Sequence, residues 1–249
     1  MADVNAIITE SLSDLEESFR TGMKKLMSDY LQDIILDKHK NFNKTFLNDI
    51  KPRYLEKMLQ RIDNETLSDT IKSRITEILQ STVNDEGNSD SDLMLSYFIT
   101  MLMSFHEEQT KEERKIERLI ATCNKYLVRK SVIYNSISFE INIFHTDEKG
   151  EKISNEPIPF KALSSGEKQI VSLFTHLILG DDKDYIIIID EPELSLSVKW
   201  QRYFLEDIRN AEKCKGLFSV THSPFVFENS LDEFARSITE FMESSHEFR

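Results

Sequence analysis

The chain has 249 residues and a formal net charge of -13, with 44 acidic and 31 basic side chains. This excess of negative charge repels the phosphate backbone of nucleic acids, so the composition gives no support for DNA binding, which would need a local patch or a partner. Six glycines and five prolines are few for this length. Their scarcity favours long helices over a loop-rich β architecture.

The cysteines and the apolar stretches bear on the cellular compartment. Cys123 and Cys214 lie far apart and show no CxxC spacing, which is typical of a reduced setting. The N-terminus is acidic, and no apolar signal core follows it. The longest apolar stretch, residues 93–105, contains polar side chains and is too short to span a bilayer. We therefore predict a cytoplasmic protein that does not enter the membrane.

Helical spacing dominates residues 1–130. In the first segment, apolar residues recur at spacings of three and four, which predicts an amphipathic helix. They are Ile8, Leu12, Leu15, Phe19, Met23, Leu26, Tyr30 and Ile34. A second helical segment, over residues 42–54, repeats an aromatic or aliphatic residue every fourth position. Pro52 is expected to kink or divide this segment.

Two further helices complete the helical region. The third segment follows Asn64 and carries three aliphatic residues on one face, namely Ile71, Ile75 and Leu79. Residues 84–91 are polar and predict a loop. The last helix is expected to run from near Asp92 to Leu127. We therefore interpret residues 1–130 as a helical arm or insertion.

The spacing of apolar residues changes to every second position at Ser131. Residues 131–145 are rich in β-branched side chains and alternate, which predicts a strand. A turn at 147–150 and a short strand towards 158–160 follow. The order is then helix, strand, helix, strand and a final helix, the first four at 165–179, 184–190, 197–212 and 216–220. This alternation predicts a parallel sheet with helical crossovers, so residues 131–249 are expected to form an α/β lobe.

A run of four isoleucines, Ile186 to Ile189, predicts a strand buried on both faces of a parallel sheet. Asp190 and Glu191 follow at its carboxyl end, where ligands bind in open α/β sheets. Mg²⁺ takes one or two carboxylates together with phosphate oxygens, so Asp190 is the candidate metal ligand. Glu191 is the candidate group that orients or deprotonates an attacking water. The alternative is a strand end followed by a solvated acidic turn.

A second motif precedes an apolar helix face and consists of Leu163, Ser164, Ser165, Gly166 and Glu167. Backbone N–H groups, a hydroxyl and the positive end of a helix dipole are the components of an anion site. The same residues also fit an ordinary helix cap, in which Glu167 closes a capping box with Ser164. Taken alone, the motif favours the cap, and the anion site depends on its combination with other motifs.

A third motif is a short apolar strand that ends in Thr221, His222 and Ser223. A histidine at the carboxyl edge of the sheet can contact a γ-phosphate or the attacking water, whereas most isolated histidines cap or pack. The three motifs follow one another at spacings of about 27 and 32 residues.

In this combination the chain resembles the ATP-binding-cassette ATPases, most closely the SMC-, RecF- and OLD-like branch of bacterial AAA-type proteins. Residues 163–167 look like the signature loop, usually LSGGQ or LSGGE. Asp190 and Glu191 look like the Walker B motif with its catalytic glutamate, and His222 looks like the switch histidine. Leu196 and Ser197 fall in the D-loop region of that branch. The resemblance implies that ATP and Mg²⁺ are the cofactors, that Asp190 holds the metal, and that Glu191 and His222 are catalytic.

Some family features are altered or missing. Ser165 replaces the first signature glycine, and Ser197 stands where transporter members carry the D-loop aspartate, which weakens the expected communication between sites. No G-x-x-x-x-G-K-[ST] occurs, because no two of the six glycines are five residues apart. The chain is therefore expected to be the C-terminal half of such an ATPase, beginning inside the helical insertion and lacking the Walker A phosphate loop.

Two functions fit these observations. The first is an ATPase half that hydrolyses ATP in a dimeric sandwich when a homodimer or a second chain supplies Walker A. Its signature residues would then act in trans, in a DNA-repair or phage-defence complex with an effector or nuclease subunit. The second is a non-catalytic regulatory or scaffold subunit, which the missing phosphate loop favours for the isolated chain. A helical adaptor ranks last, because charged helix faces are usually only solvated.

Overall fold

The computed structural model describes residues 2–42, 52–62, 64, 67–82, 90–194 and 196–240. The helices and strands in these ranges are α1 (Ala2–Ile35), α2 (Pro52–Arg61), α3 (Asp69–Thr82), α4 (Asp90–Asn124), β1 (Lys130–Asn135), β2 (Glu140–His145), α5 (Ser165–Leu179), β3 (Tyr185–Asp190), α6 (Val198–Arg209) and β4 (Cys214–Val220). The predicted α/β class is confirmed. Within these ranges β1 and β2 form one two-stranded sheet, and β3 and β4 form a second, parallel one, rather than one larger parallel sheet.

The first, third and last predicted helical segments correspond to α1, α3 and α4, whereas the segment predicted over 42–54 shares only residues 52–54 with α2, and Phe42 is extended. α1 buries most of its predicted stripe, including Phe19 and Met23. α2 begins at Pro52, which suits the first turn of a helix because its missing N–H is not needed there. In α3, Ile71 and Ile75 lie four residues apart on the predicted face, and Ile75 is buried whereas Ile71 is 47% exposed. The predicted positions at 43–51, and most of the loop at 84–91, lie outside the described residues.

Contacts divide the chain into two compact units. One comprises Met1–Ile7, Arg118–Ser131 and Ile143–Arg249, and the other comprises Ile8–Glu117 and Val132–Asn142. The boundaries therefore fall inside α1, near the end of α4 and inside both strands of the first sheet. The predicted domain boundary between residues 130 and 131 does not coincide with them, and the assignment of an arm and an ATPase lobe stays a prediction.

The unit formed by Ile8–Glu117 and Val132–Asn142 contains a buried ion pair. The Nη2 atom of Arg61 lies 2.5 Å from Glu113 Oε1, and both side chains are almost fully excluded from solvent. The guanidinium also lies 4.6 Å from the ring centroids of Phe19 and Phe139. A buried charge is tolerated only when it is paired, and the two aromatic faces add cation–π attraction.

The continuous strand predicted over residues 131–145 is wrong, because a turn at 136–139 divides it. The Asn135 side chain accepts the N–H groups of Ile137 and Ser138, and Phe139 has a left-handed φ of 52°. Asparagine forms such turns readily. The residues of the turn continue the alternation of apolar and polar side chains. The two-residue period of the sequence alone could therefore not reveal the turn.

The C-terminal region also differs from the prediction in two places. The strand expected towards 158–160 is reduced to a single bridge between Ile143 and Ile158, whereas the turn at 147–150 is present. Within the described residues after β4, the predicted helix is replaced by three short 3-10 turns at Pro224–Val226, Asp232–Phe234 and Ile238–Glu240.

The parallel pair β3–β4 is only partly covered. Ile186 and Ile188 are 70% and 78% exposed, so the prediction of a strand buried on both faces is wrong. In register they lie opposite Gly216 and Phe218, and Phe218 is also exposed. The apolar run correctly indicated a strand, but burial depends on which element covers each face, and that is not encoded in the run itself.

The described helices contain none with the length and apolar character needed to cross a membrane. Both cysteines are free, as the spacing suggested. Cys123 is buried, which raises the pKa of its thiol to about 12. This thiol is therefore a packing group rather than a reactive one.

Candidate functional site

The candidate residues Asp190, Glu191 and His222 lie at the ends of two neighbouring parallel strands. Asp190, the last residue of β3, is opposite Val220, the last residue of β4. The Glu191 N–H donates to the Val220 carbonyl at 2.8 Å. Because both strands run in the same direction, the residues that follow them emerge at one edge of the sheet.

Glu191 and His222 face each other at this edge. The His222 Nε2 atom lies 3.3 Å from Glu191 Oε1, and the imidazole is 88% exposed. Glu191 has a φ of 50°, in the left-handed region that residues other than glycine rarely adopt. Such backbone strain is concentrated at functional sites in proteins. The Leu194 N–H donates to the Glu191 carbonyl at 3.1 Å and closes the turn that holds this conformation.

Glu193 is a site residue to which the sequence analysis gave no role. One of its carboxylate oxygens lies 2.5 Å from Thr221 Oγ1, and the other accepts the His222 N–H at 2.9 Å. Its place two residues after Glu191, in the same turn, was the only signal in the sequence. The partner hydroxyl lies 28 residues away, so the pairing itself required the fold.

The two glutamates influence each other's protonation. A hydrogen bond with Glu193 is the main reason why the pKa of the Glu191 carboxyl lies above its usual range, and burial and the negative charge of Glu193 add to it. Burial acts to raise the pKa of the Glu193 carboxyl. Hydrogen bonds from Thr221, from backbone N–H groups and from Glu191 outweigh it and lower the pKa of Glu193. Of the two carboxyls, Glu191 is therefore the more readily protonated, and Glu193 is the one held as a carboxylate.

Leu196 and Ser197, the candidate D-loop residues, are joined through α6 to the residues that follow β4. Ser197 caps α6 by accepting the Trp200 N–H at 3.4 Å. The Gln201 side chain donates to the Leu196 carbonyl at 3.0 Å and accepts from the Ser223 hydroxyl at 2.7 Å. The D-loop region and the end of β4 are thus joined by one glutamine side chain.

The signature loop, residues 163–167, adopts the capping box that its sequence allowed. Ser164 Oγ accepts the Glu167 N–H at 3.3 Å, and Glu167 Oε2 accepts the Ser164 N–H at 2.7 Å. Leu163 and Gly166 are buried, whereas Ser164 and Ser165 are exposed. First-turn N–H groups of a helix have no intrahelical acceptor, so an anion in front of Ser165 would find donors there. In the part of the chain that the structure describes, no hydrogen bond or ion pair joins this loop to Glu191 or His222.

Lys130 anchors the signature loop from the start of β1. Its ammonium lies 2.7 and 3.0 Å from the two carboxylate oxygens of Glu167, which is 3% exposed. Burial would raise the pKa of Glu167, but the bonds from Lys130 and Ser164 lower it. Sequence reasoning missed Lys130 because nothing in the local pattern links residues that are 37 positions apart.

We expect Lys130→Met to lower the free energy of unfolding by about 2–4 kcal/mol, because it leaves the buried Glu167 carboxylate without its counter-ion. Urea denaturation measures the effect. Arg129→Met is the matched control, since the neighbouring Arg129 pairs with Glu148 at the surface, with side chains 70% and 85% exposed. Such a pair contributes below about 1 kcal/mol. Equal losses in the two variants would contradict the assignment.

The residues present fit a metal ion that arrives with a nucleotide. No group of three or more histidine, cysteine, aspartate or glutamate side chains suited to a metal occurs among the described residues. A nucleotide-borne Mg²⁺ does not need such a cage, because phosphates and waters supply most of its ligands. Asp190 is exposed at the carboxyl end of β3 and would be the protein ligand.

A family model matches residues 3–228 of the chain, and its description is "AAA domain, putative AbiEii toxin, Type IV TA system". No curated protein matches the sequence. The family match spans the helices as well as the three motifs. The chain therefore belongs to this AAA domain family.

Proposed function

We propose that the chain is the C-terminal part of an ATP-binding-cassette-type ATPase, which hydrolyses ATP when a phosphate-loop-bearing polypeptide completes its site. The observation that carries this proposal is the pairing of Glu191 with His222, 3.3 Å apart at the ends of β3 and β4. A carboxylate and an imidazole at the carboxyl edge of a parallel sheet lie where a nucleotide phosphate would be bound and attacked.

In the proposed reaction, Glu191 accepts a proton as a water molecule attacks the γ-phosphorus. The new bond joins the water oxygen to phosphorus, and the bond to the β–γ bridging oxygen breaks, which gives ADP and phosphate. Glu191 is suited to this role by its position, since its carboxylate lies 3.3 Å from His222 at the carboxyl edge of the sheet. His222 contacts the transferred phosphoryl group with its exposed imidazole. Asp190 would hold Mg²⁺, which when bound neutralises charge on the phosphates.

The signature loop has a separate role in this proposal. Ser164 and Ser165 are exposed at the start of α5, and their helix end offers N–H donors to an anion. We assign them to the γ-phosphate held by another subunit, in a dimeric sandwich. The absence of any described bond between the signature loop and Glu191 is compatible with their serving two different nucleotides.

A binding and turnover experiment tests this function. The isolated chain should show no micromolar affinity for Mg-ATP by isothermal titration, because it has no phosphate loop to cradle the β- and γ-phosphates. The chain co-expressed with a polypeptide that carries a phosphate loop, sought first in the neighbouring open reading frame, should hydrolyse ATP. Micromolar ATP binding by the isolated chain, or an assembled complex without turnover, would refute the proposal.

The second candidate is a regulatory or scaffold subunit without catalysis, and the lack of a G-x-x-x-x-G-K-[ST] sequence favours it. It makes the opposite prediction for the assembled complex, in which turnover would be independent of Glu191 and His222. For the process served, the resemblance suggests DNA repair or phage defence. The family description, with its Type IV TA system, makes a defence complex the first place to seek the partner.

A further inference from the structure

We propose that Glu193 is a positioning residue that holds the switch loop, residues 221–223, so that the His222 imidazole meets Glu191. This role rests on the proposed function, in which His222 and Glu191 act on one nucleotide. The imidazole is 88% exposed, so side-chain packing does little to fix it. Its position must therefore depend on the backbone that carries it, and that backbone is bound by Glu193.

A single carboxylate fixes two consecutive residues of the switch loop. Glu193 Oε2 accepts from the Thr221 hydroxyl at 2.5 Å, and Oε1 accepts from the His222 N–H at 2.9 Å. The Thr221 hydroxyl oxygen in turn accepts the Ser223 N–H at 3.0 Å. Hydrogen bonds to an ionised acceptor are about twice as strong as those between neutral groups, so this arrangement restrains the loop at both residues.

The restraint extends to the D-loop region and returns to Glu193. The Ser223 hydroxyl donates to Gln201 on α6, and the Gln201 amide donates to the Leu196 carbonyl. The Leu196 N–H then donates to the Glu193 carbonyl at 3.0 Å, which closes a ring of hydrogen bonds. A movement of Leu196 would therefore be transmitted to the backbone of His222, because neighbouring groups in the ring are joined by hydrogen bonds or by the covalent chain. The ring therefore links Leu196 to the backbone that carries the switch histidine.

Amide hydrogen exchange of the isolated chain tests, without any nucleotide, whether Glu193 holds the switch loop. Glu193→Ala should raise the exchange rate of the His222 amide by about tenfold or more, because its charged acceptor is removed. Thr221→Val, which keeps the shape and removes the hydroxyl, should accelerate it by a smaller factor, and Thr221→Ser should restore protection. Unchanged exchange at Ile187, Ile188 and Ile189 in each variant shows that β3 remains folded.

The chain provides a matched control in Glu206. Its Oε1 accepts from both the hydroxyl and the N–H of Ser230, at 2.5 and 3.1 Å, which repeats the same chemistry away from the site. Glu206→Ala should free the Ser230 amide and leave the His222 amide protected. A His222 amide that exchanges at the wild-type rate in Glu193→Ala would overturn the proposal.

Turnover of the assembled complex separates this proposal from the proposed function. Glu193→Ala and Thr221→Val should each lower kcat by about tenfold or more with KM unchanged, since a misplaced group slows chemistry without weakening binding, and Glu206→Ala should leave both constants unaltered. If Glu191→Gln stops turnover but Glu193→Ala and Thr221→Val do not lower kcat, the positioning role is wrong and the ATPase assignment stands. If the complex that carries Glu191→Gln hydrolyses ATP at the wild-type rate, the ATPase assignment is wrong. The amide exchange rates then still decide whether Glu193 holds the switch loop.

Discussion

Glu191→Gln is expected to lower the ATP turnover of the assembled complex by about 10²–10⁴-fold while its affinity for ATP stays at the wild-type value. Glutamine keeps the shape and one hydrogen-bonding oxygen of the side chain. It cannot accept the proton of the attacking water, and it lacks the negative charge. Release of phosphate under single-turnover conditions and nucleotide titration measure the two quantities separately.

The structure indicates that Glu191→Gln should leave the fold unchanged. Glu191 already has a left-handed φ of 50°, and glutamine meets the same backbone strain as glutamate there, so the fold should respond little. Asp190→Asn should behave differently, because weaker Mg²⁺ binding lowers affinity as well as turnover. Glu148→Gln, at an 85% exposed position, controls for the loss of one carboxylate and should leave both quantities unchanged. Wild-type turnover in Glu191→Gln would remove the catalytic assignment.

The local elements near the site were largely predictable from the sequence. The helix expected at 165–179 matches α5, Ser165–Leu179, because its apolar spacing and its capping residues are both local signals. The strand expected at 184–190 begins one residue later, at Tyr185. The exposure of Ile186 was not predictable, because a run of isoleucines indicates a strand without saying what packs on it.

The candidate site was predictable only in outline. Two strands of one parallel sheet, each followed by polar residues, imply that Glu191 and His222 meet at an edge, and the structure brings them within 3.3 Å. The bonds from Glu193 to Thr221, and from Lys130 to Glu167, could not be anticipated. Such contacts depend on the distance between side chains in the folded chain, and no local period or motif carries that information.

Ser164→Arg is expected to abolish the turnover and the ATP-dependent association of the assembled complex while ATP affinity at the partner's phosphate loop is retained. Ser164 is exposed at the start of α5, so an arginine there projects outward into the space that the facing subunit and its nucleotide would occupy. The added bulk opposes closure of the sandwich. Sedimentation with and without ATP, together with turnover and nucleotide titration, tests each part of this expectation.

The cap that Ser164 provides must be separated from this effect. Both Ser164→Arg and Ser164→Ala remove the oxygen that accepts the Glu167 N–H, and each should lower stability by about 1 kcal/mol. Both keep the opposite half of the capping box, in which Glu167 accepts the N–H of residue 164, and the anchor from Lys130. The difference between the two variants therefore reports the bulk and charge of arginine alone. Ser164→Ala should retain ATP-dependent association, and if it loses association and turnover to the same extent as Ser164→Arg, the signature loop acts through its helix cap and not by facing a nucleotide.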